Sequence, residues 1–292
     1  MGAMKKSTCH IIAVLTVGVW GLTFISTKVL IGRGLSPQEI FLLRFLIAYL
    51  GIWFFSPRKL WADSWRDECW LLAGGIMGGS FYFLTENMAL GITLATNVSF
   101  IVCTTPLLTA ILSLLIYKKE RATRGLIGGS LLALVGVALV VYNGSFVLKI
   151  SPAGDFLSLL AALSWAFYSL IMKKMSGRYG TVFITRKIFF YGVLTILPVF
   201  LFRPWQFDVF GLLQPAVLMN LLFLGVLASL VCFAVWNVVL KRLGTVQASN
   251  YIYLNPLFTL IGSALLLDER LTAVAFAGTL CILGGVCWAG RR

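Results

Sequence analysis

Ten apolar stretches, each about twenty residues long, recur along this chain at residues 11–31, 36–56, 69–90, 94–117, 124–143, 153–173, 183–202, 216–240, 245–267 and 271–290. A stretch of about 20 apolar residues is what an α-helix needs to cross the hydrocarbon core of a bilayer. Ten such helices consume roughly 210 residues and leave seven or eight apiece for nine loops and two tails. A folded domain outside the membrane does not fit in that remainder. The runs are continuously apolar and about twice the length of a barrel strand, which argues against a β-barrel. With only 12% charged residues, about half the share of a soluble domain, the chain is read as an all-α integral membrane protein. Nucleic-acid factors, soluble enzymes and receptors with folded ectodomains are excluded.

The net charge of +14 has a membrane meaning, because basic residues collect in cytoplasmic loops. With the N-terminus inside, the inner side holds Lys5, Lys6, Arg58, Lys59, Arg66, Lys118, Lys119, Arg121, Arg124, Lys173, Lys174, Arg178, Lys241, Arg242, Arg291 and Arg292. The outer side holds Arg33, Lys149, Arg203 and Arg270, and only Lys28, Arg44, Arg186 and Lys187 fall within spans. That asymmetry places both termini in the cytoplasm of a bacterial-type inner membrane. The opening segment imitates a signal peptide, but its apolar run continues to about Ile31, so it is kept as the first helix. Turns near Gly91, Gly244 and Asp268 are short enough to force antiparallel neighbours. The six cysteines show no CxxC spacing and read as small core residues.

The chain also repeats itself. The third and eighth segments align at an offset of about 150, pairing Gly75 with Gly225, Phe83 with Phe233, Asn87 with Asn237 and Leu90 with Leu240. At about the same spacing Pro106 meets Pro256, Glu120-Arg121 meets Glu269-Arg270, Gly129 meets Gly278 and Gly136 meets Gly285; Trp20 and Lys28 meet Trp165 and Lys173 at about 145. These matches divide the chain into five-helix halves, 1–145 and 146–292. Five is odd, so the second half enters from the opposite face and the halves form an inverted repeat. That architecture recurs in secondary transporters, where it supports alternating access around a midplane site. A static duplicated bundle is the alternative.

Several residues are candidates for recognition. Glu86 is the only acid well inside a span, and an ionisable group there is costly enough to be a functional candidate by default. It has three readings: a ligand for a substrate ammonium, a carrier of a coupling proton, or a structural partner of Lys28 or Arg44. Its counterpart in the other half is Trp236, and Tyr82 precedes it by one turn. Lys28 is expected to snorkel outward, and Arg186 and Lys187 to reach the inner headgroups. Trp20, Thr23 and Thr27 share one helix face, as do Trp165, Tyr168 and Met172. Such faces suit either a cavity wall or plain packing.

The mid-segment prolines are the strongest signal. Each removes a donor and frees the carbonyl four residues back, on Val102 for Pro106 and on Ile252 for Pro256. Freed carbonyls at membrane depth are tolerated beside protein or a water-filled cavity. Asn97, Ser99, Thr104 and Thr105 cluster by one break, and Asn250, Tyr251, Tyr253 and Asn255 by the other. A simple kink is the competing account. Gly74, Gly75, Gly78, Gly79, Gly125 and Gly129 fall in GxxxG spacings that serve close helix packing.

The segment WGLTFISTK near the start, the proline followed by Glu-Arg in each half, and NYIYLNPLF in the ninth segment resemble the drug/metabolite transporter superfamily, in its EamA-type ten-helix branch. The resemblance spans nearly the whole chain. It implies an inner-membrane carrier, often an exporter of amino acids or other metabolites, with a cavity lined mainly by helices 1, 3, 4, 6, 8 and 9. The expected partners are the bilayer and a small-molecule substrate, with a coupling proton as a candidate, no nucleic acid, and a monomeric or homodimeric state. No cofactor or metal is expected, since His10 is the single histidine and no HExxH or aspartate pair lies in the spans. An ion or small-solute channel is the first alternative, although no filter-like segment is present. A membrane-embedded enzyme is the second, and the chain is read as no enzyme.

Overall fold

The structure is a computed structural model that describes residues 6–56, 59–117, 123–142, 151–267 and 272–290. Among these residues the chain is helical throughout, in ten rods joined by short connections. They are α1 (Lys6–Gly32), α2 (Pro37–Ile52), α3 (65–92), α4 (95–116), α5 (Arg124–Tyr142), α6 (Pro152–Met175), α7 (181–202), α8 (215–243), α9 (245–267) and α10 (Ala273–Gly290). Five stretches are long and apolar enough to cross a membrane: Ser7–Gly32, Asn97–Ile116, Pro152–Met175, Thr181–Phe202 and Pro215–Leu243. The rest are shorter or less uniformly apolar; α2, at 16 residues, rises about 24 Å, less than the roughly 30 Å of hydrocarbon. Large apolar side chains such as Ile11, Leu15, Leu115 and Leu201 point outward and are more than half exposed, as a lipid-facing surface requires.

Local chemistry explains where the rods begin. Pro37, Pro152 and Pro215 occupy first turns, where a missing N–H costs nothing. Glu39 reaches back to the Ser36 N–H at 2.8 Å, and the Ser64 hydroxyl accepts from the Asp67 N–H at 3.2 Å. The turn between α8 and α9 passes through Gly244 at φ +87°, a conformation that side chains rarely adopt.

The packing is reciprocal between the halves. α3 lies on α7, and α8 lies on α2. A Cβ on Gly74 would sit 2.7 Å from Ile188, one on Gly75 would collide with Tyr191, and one on Gly225 would sit 2.8 Å from Ile47. α5 and α10 form the most extensive helix pair. There a Cβ on Gly129 would stand 2.6 Å from the Gly285 carbonyl, and one on Gly136 would stand 2.6 Å from the Gly278 carbonyl. Residue numbers rise along one helix as they fall along the other, so the two run antiparallel.

α3 and α8 carry a further feature that periodicity did not reveal. Each contains a π-helical segment, Ile76–Ser80 in α3 and Phe223–Val231 in α8, and the first falls inside the second when shifted by 150. An extra residue per turn frees backbone carbonyls, and other helices cap them: the Ser164 hydroxyl donates to Met77 O at 2.7 Å, and the Trp20 indole N–H donates to Ala228 O at 3.0 Å.

Two expectations change. Arg186 and Lys187 turn inward instead of toward headgroups: Lys187 is buried against Glu68 and Tyr191, and Arg186 binds the Ser56 hydroxyl at 2.6 Å and the Lys59 carbonyl. Ser56 and Lys59 lie in the loop before α3 and Glu68 in its first turn, all more than a hundred residues away in sequence. Cys9, Cys103 and Cys232 are buried, whereas Cys69 and Cys287 are exposed and are not core residues. The short turn near Gly91 passes through Thr93 and Leu94. Glu120-Arg121, Glu269-Arg270 and the turn at Asp268 lie outside the described residues.

Candidate functional site

The two proline breaks meet in the middle of the protein. α4 consists of Ala95–Val102 and Thr105–Ile116, with Pro106 in the first turn of the second piece. α9 runs as Thr245–Ser249, a 3-10 turn Asn250–Leu254, and Asn255–Leu267. The freed carbonyls are partly recovered by side chains. The Thr105 hydroxyl donates to Val102 O at 2.6 Å, and the Cys103 thiol crosses from one half to the other to reach Ile252 O at 3.4 Å.

Val102 and Ile252 both line an internal cavity, together with Thr105 and Asn255 from the same two breaks. Trp20, Thr23 and Phe24 of α1 and Trp165 of α6 form its aromatic walls, closed by Phe83 of α3 and Phe233 of α8. Trp20 and Trp165 pack edge to face with centroids 5.2 Å apart at 85°, and the Tyr82 and Trp165 rings are tilted at 52° with centroids 4.9 Å apart. The volume open to the centre of a water molecule is only about 30 Å³. That is room for one or two waters. A metabolite enters only if these side chains separate.

The polar side of the cavity is built by α2 and α3. Glu86 lies about 9 Å along the helix axis from Ile92, and its Oε1 accepts the Tyr82 hydroxyl at 2.6 Å. Arg44, with 1% of its surface exposed, is the cation of this site. It attracts Glu86 across the cavity, but no nitrogen–oxygen pair between them is within 4.0 Å. Its Nε instead donates to the Ser229 hydroxyl at 2.9 Å, and its guanidinium carbon lies 4.2 Å from the Phe83 ring centroid. The direct ion pair that was one reading of Glu86 is therefore not formed, with Arg44 or with half-buried Lys28.

Of the sequence candidates, Trp20, Tyr82, Glu86 and Trp165 come together on the cavity. Tyr168, Trp236, Asn97, Asn250 and Tyr253 do not line it. Tyr168 donates to Asn237 Oδ1 at 2.7 Å, Trp236 packs against Trp20 with centroids 5.0 Å apart, and the Asn97 amide faces the Thr93 hydroxyl. Asn250 and Tyr253 are buried inside α9's packing. Asn255, from the polar cluster beside Pro256, does line the cavity, as does Arg44, which the sequence does not single out for binding. Arg44 had a signal, being one of four basic residues within spans, but was considered only as a partner for Glu86.

Both ends of the bundle are closed by buried carboxylates. At one end Glu39 accepts from the Gln206 N–H at 2.7 Å and the Phe207 N–H at 3.1 Å, tying α2 to the loop after α7. At the other, Glu68 accepts from Lys187, Tyr191 and the Ala62 N–H, the last at 2.7 Å. Burial alone raises the Glu68 carboxyl, but these donors outweigh it and hold the group below the usual carboxylate range. Beside it, Asp67 accepts from Arg178 at 2.6 Å and from the Tyr179 hydroxyl at 2.9 Å.

This arrangement has relatives. The EamA-like transporter family matches twice, over residues 7–142 and 152–291. An uncharacterized transporter of Archaeoglobus fulgidus is 28% identical, with 96% of each chain covered. A probable amino-acid metabolite efflux pump of Escherichia coli is 26% identical over 94% of this chain and 92% of the relative. A solved crystal structure superposes with a TM-score of 0.76 at 18% identity, covering 98% of this chain and 97% of that one, and so shares the fold. The chain is an integral membrane protein that belongs to the EamA-like transporter family.

Proposed function

We propose that the protein is a secondary carrier of the inner membrane that moves small organic metabolites, amino acids or similar, outward by alternating access. The observation that carries this reading is the central cavity, bounded by the proline-freed segments of both halves and by paired tryptophans from α1 and α6. Substrate contact is assigned to Trp20, Tyr82, Glu86 and Trp165. Tyr168 and Trp236 serve by holding this wall in place.

Two inverted repeats, 1–145 and 146–292, are part of the proposal. The reciprocal glycine contacts support it: shifting Gly129 and Gly136 by 149 gives Gly278 and Gly285, so the contact of 129 with 285 maps onto that of 136 with 278. A two-fold axis in the membrane plane produces such a self-exchanging, antiparallel pair. The polar clusters at Glu39 and Glu68 then act as closures at the outer and inner ends. Opening one while the other holds exposes the cavity to one side at a time. The relatives' names lean toward amino-acid export.

A thermal-shift screen of the purified protein against amino acids, nucleosides and organic cations tests the reading, since a ligand stabilises the state it binds. The proposal expects concentration-dependent stabilisation by amino acids. Stabilisation that persists after Trp165→Ala, with the same half-saturation concentration, would move the binding site elsewhere.

A further inference from the structure

Buried polar atoms without partners are rare enough that each calls for an explanation. The cavity collects three. The Arg44 Nη1 has no hydrogen-bond partner, nor does the Trp165 indole N–H, nor the Asn255 Oδ1, and all three residues line the same space. The first two are donors and the third is an acceptor, joined by the Glu86 carboxyl, which accepts from the Tyr82 hydroxyl. A guanidinium is expensive to desolvate, and one without a contacting carboxylate needs a negative partner. Its planar fork of donors matches a carboxylate in a way a lysine ammonium does not. The Nε prong is held by Ser229 and the face by Phe83, so the group is fixed in orientation with one terminal nitrogen uncommitted.

We propose that Arg44, with the Trp165 indole N–H, binds the carboxylate of a zwitterionic α-amino acid whose ammonium is taken by Glu86 and Asn255, making Arg44 the residue that separates amino acids from simple amines. This rests on the carrier reading above and names its solute. Edge-to-face aromatic rings leave an apolar flank for the side chain. Each ionic group of the solute replaces an unmet partner of the cavity, so loss of either one leaves a buried charge unpaired.

The test uses the purified full-length protein and isothermal titration with L-phenylalanine, phenethylamine and 3-phenylpropionate, and with L-leucine, isoamylamine and 4-methylpentanoate. In at least one set the amino acid binds about ten- to a hundredfold tighter than the amine, the range a charge-assisted hydrogen bond supplies. Arg44→Gln abolishes that preference and leaves amine affinity unchanged, whereas Glu86→Gln weakens the amino acid and spares the carboxylate-only probe. Ser229→Ala removes only the Nε tie and keeps the preference. Where Arg44→Gln fails to fold, Arg44→Lys takes its place and narrows the preference severalfold. Equal wild-type affinity for amino acid and amine, or an Arg44 variant that weakens both alike, overturns the proposal. So does binding of a nucleoside with no amino acid bound, although the carrier reading survives that result.

Discussion

The α5–α10 contact permits a sharp perturbation. In Gly129→Ala the new methyl meets the Gly285 carbonyl at 2.6 Å and the Ala289 backbone, where ordinary contact begins near 3.4 Å. Neither obstacle is a flexible side chain, so the helices must separate by nearly an ångström. A gap of that size forfeits a quarter to a half of each facing dispersion contact, and overpacking costs about 1–3 kcal/mol. Both obstacles are backbone, which places Gly129→Ala toward the top of that range and its melting temperature lower by roughly 5–10 °C. Gly285→Ala meets the Gly129 carbonyl at 2.5 Å and does the same. Because both strain one crossing, the double variant loses less than the sum of the singles. Gly91→Ala, with nothing within 4 Å, is the control and melts like wild type. Melting followed by fluorescence in detergent reads all four variants against wild type. A Gly129→Ala melt within a degree of wild type, or fully additive losses, would refute the reasoning.

Other outcomes follow from the ends and centre of the bundle. Lys187→Met leaves Glu68 buried without its cation and destabilises by about 3–5 kcal/mol, while the Glu68→Gln/Lys187→Met double variant recovers most of the melting temperature. Because the folded Glu68 carboxyl is depressed from its ordinary 4.5, its contribution is complete above that pH and is lost as pH falls through the lower folded value; Glu68→Gln removes this part of the acid dependence in pH-resolved melts. Glu86→Gln keeps an oxygen for the Tyr82 hydroxyl and costs less than the loss of a true ion pair, so a drop of 3–5 kcal/mol on denaturation would show that Arg44 depends on it directly. In a protein stripped of native cysteines, Gly91→Cys reacts with an impermeant thiol reagent outside the cell and Gly177→Cys does not; labelling at 177 would reverse the proposed orientation.

Much of this was legible because membrane helices and duplications write themselves in one dimension. The apolar runs foretold the rods, while the Pro106 and Pro256 breaks leave a cavity or a plain kink open for Val102 and Ile252, and these two residues line the cavity. Glu86 stood out as an isolated acid. What stayed hidden depends on rotation about helix axes. A π segment advances the face of α3 after Ser80 by a residue and has no composition of its own, so the rotation that brings Tyr82 and Glu86 onto the cavity cannot be counted from spacing. Asn97 and Asn250 lie near the prolines in sequence, but neither lines the cavity. Arg44 sits in a run that is apolar on all sides, and only the packing of α2 against α8 shows which side meets Ser229.

The central claim is that this protein carries its solute by alternating access, and counterflow in proteoliposomes tests it most directly. Vesicles are preloaded with an unlabelled amino acid identified by the thermal-shift screen and diluted into a trace of the labelled form. The account predicts a transient accumulation of label above its equilibrium level, because each return of the loaded site draws label inward against its own gradient. A monotonic rise to equilibrium with no overshoot would be the behaviour of a channel, and would contradict it.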